Sequence, residues 1–573
     1  MRSPAINRLV STRLVICAVV GLVFAACGSS TPPTVAPGAS GPPAPSRAPS
    51  GSQAVVTVTP SPTAQVVTGP TPTPNGTPNG TPPPSPTPTP SPTPPPAGAV
   101  SMPFVPVINF WSTQTSISMD EVKAALQGTS AKYSTIIVPT DDAQAIAAAA
   151  GVTLGTTVQQ GAVADIIAAV KAGGLGFMRA TDVEPDVRAL GIDDANLFGE
   201  GRIKDVSQWP LSATVQSSTT WDQSKNWVLV SAGDIMGDRG VRTAVEKNGG
   251  NPSYLFKGGT SKVDALKCCS FFGYQYPVVS RTGNAGAVEK MIQNADFAMA
   301  NLESGVVVNA PLHPPTSFTF TTDPSYLQAV KDGGFDFLSN ANNHAKNGGP
   351  KALATAISTL DQLGILHAGA GVGPAAAAAP AITTIDGEKV AIIACDGVNP
   401  GYWTKAPGQI GTNSCKTGSV TQTIQQIRSS VDVIIVFPHW GIEYEPPVAY
   451  QFAMAKEWFD AGADMIIGSH NHFPGGIYDY NGHVAMLSMG NFIFDQTFRQ
   501  TTLQGLVVET TWYGSKPAQI WVHPLLNVDS QPNFADPNGD GQWAFEVMKW
   551  QSVPGKLDWG GTPAPDFGNT PPK

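Results

Sequence analysis

All eight histidines of this chain lie between His313 and His523, and four of them follow short apolar runs. "FDFLSNANNH" closes on Asn342-Asn343-His344, "VDVIIVFPHWGIEYE" passes through His439-Trp440-Gly441, and "GADMIIGSHNHFPGG" empties into His470-Asn471-His472. Two further runs end in an acid or amide: "NWVLVSAGDIMGDR" reaches Gly233-Asp234, and "ADFAMANLES" reaches Asn301-Leu302-Glu303. Apolar runs of this length bounded by turn residues read as buried strands. In α/β sheets, ligands bind beyond the carboxyl ends of the strands. Five such ends would converge on one crevice lined by imidazole, carboxylate and amide groups. These are borderline-to-hard metal ligands, with no thiolate among them. A lone histidine after a strand is usually structural, but five polar clusters at the same structural position point to a metal centre.

The rest of the chain must position that crevice. At 573 residues, more than one domain is expected. Charged residues are only 13%, while Gly (59) and Pro (53) are abundant, so apolar folded parts are joined to something low in complexity. A net charge of -9 without a lysine or arginine run argues against nucleic acid as a partner. Arg2, Arg8 and Arg13 precede an uncharged stretch from Leu14 to Ala26, a secretory-signal pattern too short to span a membrane comfortably. Ala25-Ala26 before Cys27 is similar to a bacterial lipobox, with Phe24 where leucine is usual. Residues 1–27 are therefore expected to be a lipoprotein signal, with lipid on Cys27 anchoring an extracytoplasmic protein to the cell membrane.

Residues 28–103 are dominated by Pro, Thr, Ser, Gly and Ala, and "TPPPSPTPTPSPTPPP" favours extended polyproline II over a core. A disordered spacer is expected there. Residues 104–222 alternate strand-like runs ("VPVINFW", "STIIVP") with helix-like ones ("MDEVKAALQ", "GAVADIIAAVKAG") and contain no histidine or cysteine. This reads as a small accessory α/β domain, vaguely like one lobe of a solute-binding protein. Beyond Cys17 and Cys27, the cysteines are Cys268, Cys269, Cys395 and Cys415, without a CxxC pair. Outside the cell a disulfide is allowed; Cys395 with Cys415 is the candidate pair, and adjacency disfavours a bridge between Cys268 and Cys269.

Taken in order, "GDIMGDR", "NLES", "NNH", "HWGIEYE", "GSHNH" and "GNFIFDQ" resemble the successive motifs of the CapA family. These are bacterial capsule-synthesis proteins linked to poly-γ-glutamate and similar to calcineurin-like metallophosphoesterases. The resemblance implies a four-layer α/β/β/α sandwich over about residues 226–550, with one or two divalent ions (Mn, Fe or Zn) at its strand ends. It implies Asp234, Glu303, Asn343, His439, His470 and His472 as metal ligands, Glu303 bridging, and His344 as general acid. Met236 stands where an imidazole is expected, so the half of the site built from Asn343, His439 and His470 looks better furnished. Asn347 stands where relatives often carry aspartate.

Other residues read two ways. Arg239 either clamps an anionic substrate group or forms a structural ion pair. Glu443 and Tyr444 are expected to orient His439 from behind, and Asn491 and Asp495 to stabilise a turn beside the site. His313, His367, His483 and His523 read as structural. "DPNGDGQWAFEV" resembles a calcium loop, but its twelfth position is Val547 and not a glutamate, which favours an Asx-rich turn. The expected function is a metal-dependent hydrolase acting on a phosphoester or γ-glutamyl bond, within a capsule synthesis complex. The alternatives are a non-catalytic factor that holds an anionic polymer during export, or a solute receptor using residues 104–222.

Overall fold

The computed structural model describes residues 98–270 and 273–553. The signal, Cys27 and most of the spacer lie outside the described residues. Among the described residues, no helix is long and apolar enough to cross a membrane.

The first strand runs Gly98–Asn109, so residues 98–103 belong to a sheet and not to the expected spacer. It pairs with Leu175–Arg179, Val187–Ala189 and Ser212–Ser217, while Ile136–Pro139 and Gln159–Gly161 complete a six-stranded sheet. Helices Met119–Leu126, Ala143–Ala149 and Val163–Lys171 accompany it. This region meets the rest of the chain along the strands Gln504–Tyr513 and Lys516–Val528. There, Ala189 N donates to Gln519 Oε1 (2.8 Å), and the Trp221 and Tyr513 rings stack at 4.3 Å.

Two larger sheets carry the strand-end clusters. In the first, Asn226–Ile235, Phe297–Leu302, Phe337–Ser339 and Leu366–Ala368 run parallel in that order, and Gln504–Tyr513 adds antiparallel on the other side of Asn226–Ile235. In the second, Glu388–Asp396, Val433–His439, Met465–Ile467 and His483–Met486 are parallel neighbours.

Side-chain alternation fixes the layers. Trp227 and Leu229 pack with Val390, Ile392, Val433 and Ile435 in a core between the two sheets. Their neighbours Val228 and Val230 face outward, onto Val241 and Val245 of helix Arg239–Lys247 and Leu327 of helix Pro324–Asp332. On the second sheet, Ile434 and Val436 face Ile424 of helix Ser419–Ile427 and Trp458 of helix Ala449–Ala461. The result is helix, sheet, sheet, helix: the four-layer sandwich. Fully apolar strands of this kind are what a sheet buried on both faces requires.

Cys395 and Cys415 are bridged, with Cα atoms 5.0 Å apart. Cys268 and Cys269 are also joined to each other, contrary to the expectation from their adjacency.

Candidate metal centre

Ladder pairing aligns the clusters. Asp234 sits opposite Asn301 on one side and Asn491 on the other, while His439 sits opposite Asp396 and bridges to Ser469. All strand-end groups expected in the crevice meet there. His470 and His472 adopt positive φ (107° and 62°), a conformation that non-glycine residues adopt at some energetic cost and that clusters at functional sites.

Glu303 occupies the middle. Its Oε1 lies 3.6 Å from His472 Nε2, 3.8 Å from His344 Nε2 and 3.9 Å from His439 Nε2. The residue is wholly buried, and neither carboxylate oxygen meets a hydrogen-bond donor, only the neighbouring carboxyl of Asp234 beside it. Asp234, Glu303 and His472 each offer a ligand atom, and these lie within 4.8 Å of one another. The second half converges on His439 Nε2, with Asn343 Oδ1 at 2.8 Å and His470 Nδ1 at 3.1 Å. The half that the sequence favours has neutral donors apart from the shared Glu303. The half beside Met236 holds both carboxylates.

The supporting shell sets ring orientations. Asn491 accepts from His472 Nδ1 (2.9 Å), turning Nε2 toward Glu303; its own amide group is fixed by Thr502 O (2.9 Å). Asn301 donates to Asp234 Oδ1 (2.8 Å) and is held by Asn342. The His439 ring is held at Nδ1 by Ser469 Oγ (3.0 Å) and Asn301 (3.3 Å). Glu443 and Tyr444 do not hold it: among the described residues no hydrogen bond joins either to His439, and Tyr444 lies against His472, ring centroids 5.7 Å apart. His344 stacks on Phe320 (4.0 Å) and donates from Nδ1 to Asn347 Oδ1 (2.9 Å), leaving Nε2 facing Glu303.

Arg239 takes its structural alternative. Its guanidinium binds Asp495 through two nitrogens and Ser317 O through the third, and lies over Phe320. Asp495 thus partners a cation as well as a turn. His313 pairs with Asp238 (2.6 Å), His367 with Asp361 and His523 with Glu509, while His483 stacks on Phe459; all four are outside the crevice. In the calcium-like loop, Asn538 N donates to Asp536 Oδ1 and Gly539 N and Gly541 N to Asp536 O, an Asx turn, while Asp540 and Asn538 accept from the distant Val263 N and Thr113 Oγ1.

Sequence reasoning missed Asp396, the end of a sixth strand carrying the same signal. Its oxygens accept from Val398 N, Asn399 N and Thr412 Oγ1, so it closes a turn.

Burial without a counter-ion pushes the whole centre toward neutrality. Desolvation raises Asp234, and desolvation plus the neighbouring Asp234 charge raises Glu303 well above the carboxylate range. It also lowers His470 to about 3 and His344 to about 4, and drives His439 and His472 well below the usual imidazole value. Neutral imidazoles keep their lone pairs for a metal, and a divalent cation would offset the cost of the two carboxylates. The donor set fits such an ion.

Residues 228–496 match the family described as "Bacterial capsule synthesis protein PGA_cap". The chain is 25% identical over 318 residues to the "Capsule biosynthesis protein CapA" of Bacillus anthracis, covering 52% of this chain and 70% of that protein. The domain that holds the centre carries the family match. It is also 27% identical over 223 residues to the "PGA biosynthesis protein CapA" of Bacillus subtilis (strain 168), covering 38% of this chain and 59% of the relative. The chain thus spans little more than half the length of that second relative. A solved calcineurin-like phosphoesterase, YfkN from Bacillus subtilis, aligns at 15% identity over 52% of this chain and 90% of its own, with a TM-score of 0.28. The sandwich in this domain rests on its own sheet order and core.

Proposed function

We propose that this protein is an exported, lipid-anchored participant in capsule or poly-γ-glutamate metabolism, working as a metal-dependent hydrolase. The observation that carries the reading is Glu303: a wholly buried carboxylate, neither oxygen meeting a donor, ringed by His344, His439 and His472. A carboxylate in that position is costly unless it meets a cation.

Asp234, Glu303 and His472 would hold one ion; Asn343, His439 and His470, with Glu303 shared, would hold another. A divalent ion bound there supplies an activated water and polarises the scissile group. The chain does the rest. Asn347 fixes the His344 ring with its proton on Nδ1, so that Nε2 faces the centre, where the imidazolium form can pass a proton to a leaving group. The Phe320 and Phe494 rings, packed on His344 and His472, limit water around them.

The second reading is a non-catalytic factor that holds an anionic polymer during export. Met236 favours it, because its side chain is buried in the core and gives the centre no ligand. Metal analysis of the full chain, wild type and Glu303→Gln, decides the first point. A wild type without stoichiometric metal sinks both readings of the centre. Metal with polymer binding, but no turnover of phosphoesters or γ-glutamyl peptides, selects the second. Anchoring is tested separately: Cys27→Ser should abolish lipid labelling, and unchanged labelling would refute it.

A further inference from the structure

Among the described residues, the buried arginines are Arg188, Arg202, Arg239 and Arg499. Arg202 and Arg239 have a carboxylate within ion-pair distance, and Arg188 donates to Phe110 O over the Trp521 ring with Glu509 as counter-charge. Arg499 differs. It is 8% exposed, no carboxylate of the described residues lies within 4.0 Å, its Nε has no partner, one long contact reaches Tyr444 O (3.4 Å), and the Tyr274 hydroxyl and the more distant Glu445 are its other polar neighbours. Its guanidinium is held by rings: Tyr444 at 4.9 Å, Tyr274 at 5.6 Å and Phe473 at 5.9 Å. Aromatic faces attract the charge without using the in-plane N–H donors of the fork, of which Nε is unpartnered.

The place is next to the metal centre. The Tyr444 ring that carries Arg499 rests against His472 on its way to the centre. Gln496 ties the Tyr444 hydroxyl (2.8 Å) to Asn491, which orients His472. Other buried polar atoms nearby in the chain are also unpartnered: Asn471 Oδ1, Thr501 Oγ1 and both side-chain atoms of Gln504. A buried cation with an unpartnered Nε and no carboxylate in contact, one ring from the centre, describes a subsite that lacks its anion.

We propose that Arg499 receives an oxyanion of the substrate, a carboxylate or phosphate one unit along from the group at the metal centre. This rests on the reading of the centre given above and assigns it a substrate class: a chain carrying repeated negative groups. On γ-linked polyglutamate every residue carries a free α-carboxylate, so the neighbour of the residue at the centre brings one; a phosphodiester chain brings a phosphate in the same way. The planar fork matches either group with two parallel hydrogen bonds.

The test uses the full chain and its Arg499→Gln and Arg499→Lys variants, with metal content, thermal unfolding and calorimetric binding measured on each. The probes are a γ-linked glutamate decamer, the same decamer with its α-carboxylates amidated, and a glycerol-phosphate oligomer. Wild type should prefer the carboxylate decamer or the phosphate oligomer to the amidated decamer. That preference should fall at least about tenfold in Arg499→Gln, the loss expected on removing a charge-assisted pair. Arg499→Lys, which keeps the charge but not the fork, should lose part of it and carries the test if the glutamine variant melts early. The decamer and the phosphate oligomer, compared in wild type, separate the two sources of the anion. Unchanged preference in both variants, or a wild type that binds neither anionic probe, overturns the assignment. Absent metal with an Arg499-dependent preference would sink the metal reading and leave the subsite standing.

Discussion

Replacing Asn347 with aspartate tests how the fold tunes His344. The Asn347 amide is fixed from three sides: Oδ1 accepts from Phe320 N (2.7 Å) and His344 Nδ1 (2.9 Å), and Nδ2 donates to the Tyr402 hydroxyl (2.9 Å). An aspartate fits the same space, and Tyr402 need only turn its proton toward the new oxygen. In the wild type, burial lowers His344 from 6.5 to about 4, so at pH 7 only about one molecule in a thousand carries the imidazolium. An opposite charge in direct contact raises an imidazole by about 1–3 units, placing the variant at about 5–7.

The stability consequence has a definite sign. With the folded pKa below the unfolded one, the unfolded chain binds the extra proton first as pH falls. Stability present above pH 6.5 is therefore lost on the way down to about 4. At about 1.4 kcal/mol per unit, the wild-type loss from His344 is roughly 3 kcal/mol. The Asn347→Asp variant should lose about 1–3 kcal/mol less over the same window. NMR titration of the His344 ring in metal-free protein reads the first effect, and denaturant unfolding at pH 7 and pH 4 reads the second. If the His344 midpoint stays within half a unit of the wild type, the claim that Asn347 controls this ring is wrong. If activity is present, hydrolysis of substrates with poor leaving groups should rise in the variant near neutral pH.

Asp495→Asn leaves Arg239 buried beside Phe320 without its counter-charge and should cost about 3–5 kcal/mol of stability, with metal content unchanged; a thermal melt equal to wild type would count against the pair. His470→Ala should lose metal, whereas His344→Ala should keep most of it and slow hydrolysis by about 10²–10⁴-fold; equal metal loss in both would refute the assigned roles. Cys395→Ser/Cys415→Ser opens a link between residues 20 apart in sequence and should lower stability by about 3 kcal/mol, measured by denaturant unfolding.

The strand ends were legible because the signal is local. An apolar run and the polar group that terminates it are contiguous, so Asp234, Glu303, His344, His439 and His470 could be placed before any contact was known. Asp396 carries the same signal, yet neighbouring amides consume its oxygens, and only three-dimensional partners separate a ligand from a turn. Glu443 failed for a related reason. After His439 the chain swings through Gly441 and Tyr444, both at positive φ (99° and 65°), and sequence proximity no longer means contact. The ring is held instead by Asn301 and Ser469, 138 and 30 residues away. The Arg239–Asp495 pair spans 256 positions, and no periodicity encodes it. The four layers were expected from the family resemblance, whereas the start of the first sheet at Gly98 was hidden behind a composition that continues the spacer.

Met236 then takes a different meaning from the one its position in the sequence suggests. As a missing ligand it weakens the half of the centre beside Asp234. The structure puts both carboxylates in that half, so charge compensates for the lost imidazole, and the side chain is spent in the core, where its sulfur accepts from Asp238 N. Three protein ligands are also what a catalytic zinc site keeps when its fourth position is left for water or substrate. Asp234, Glu303 and His472 supply three such ligands, and Arg499 lies one ring beyond them. The departure at position 236 is therefore compatible with hydrolysis, and catalysis depends on His344 and its partner Asn347.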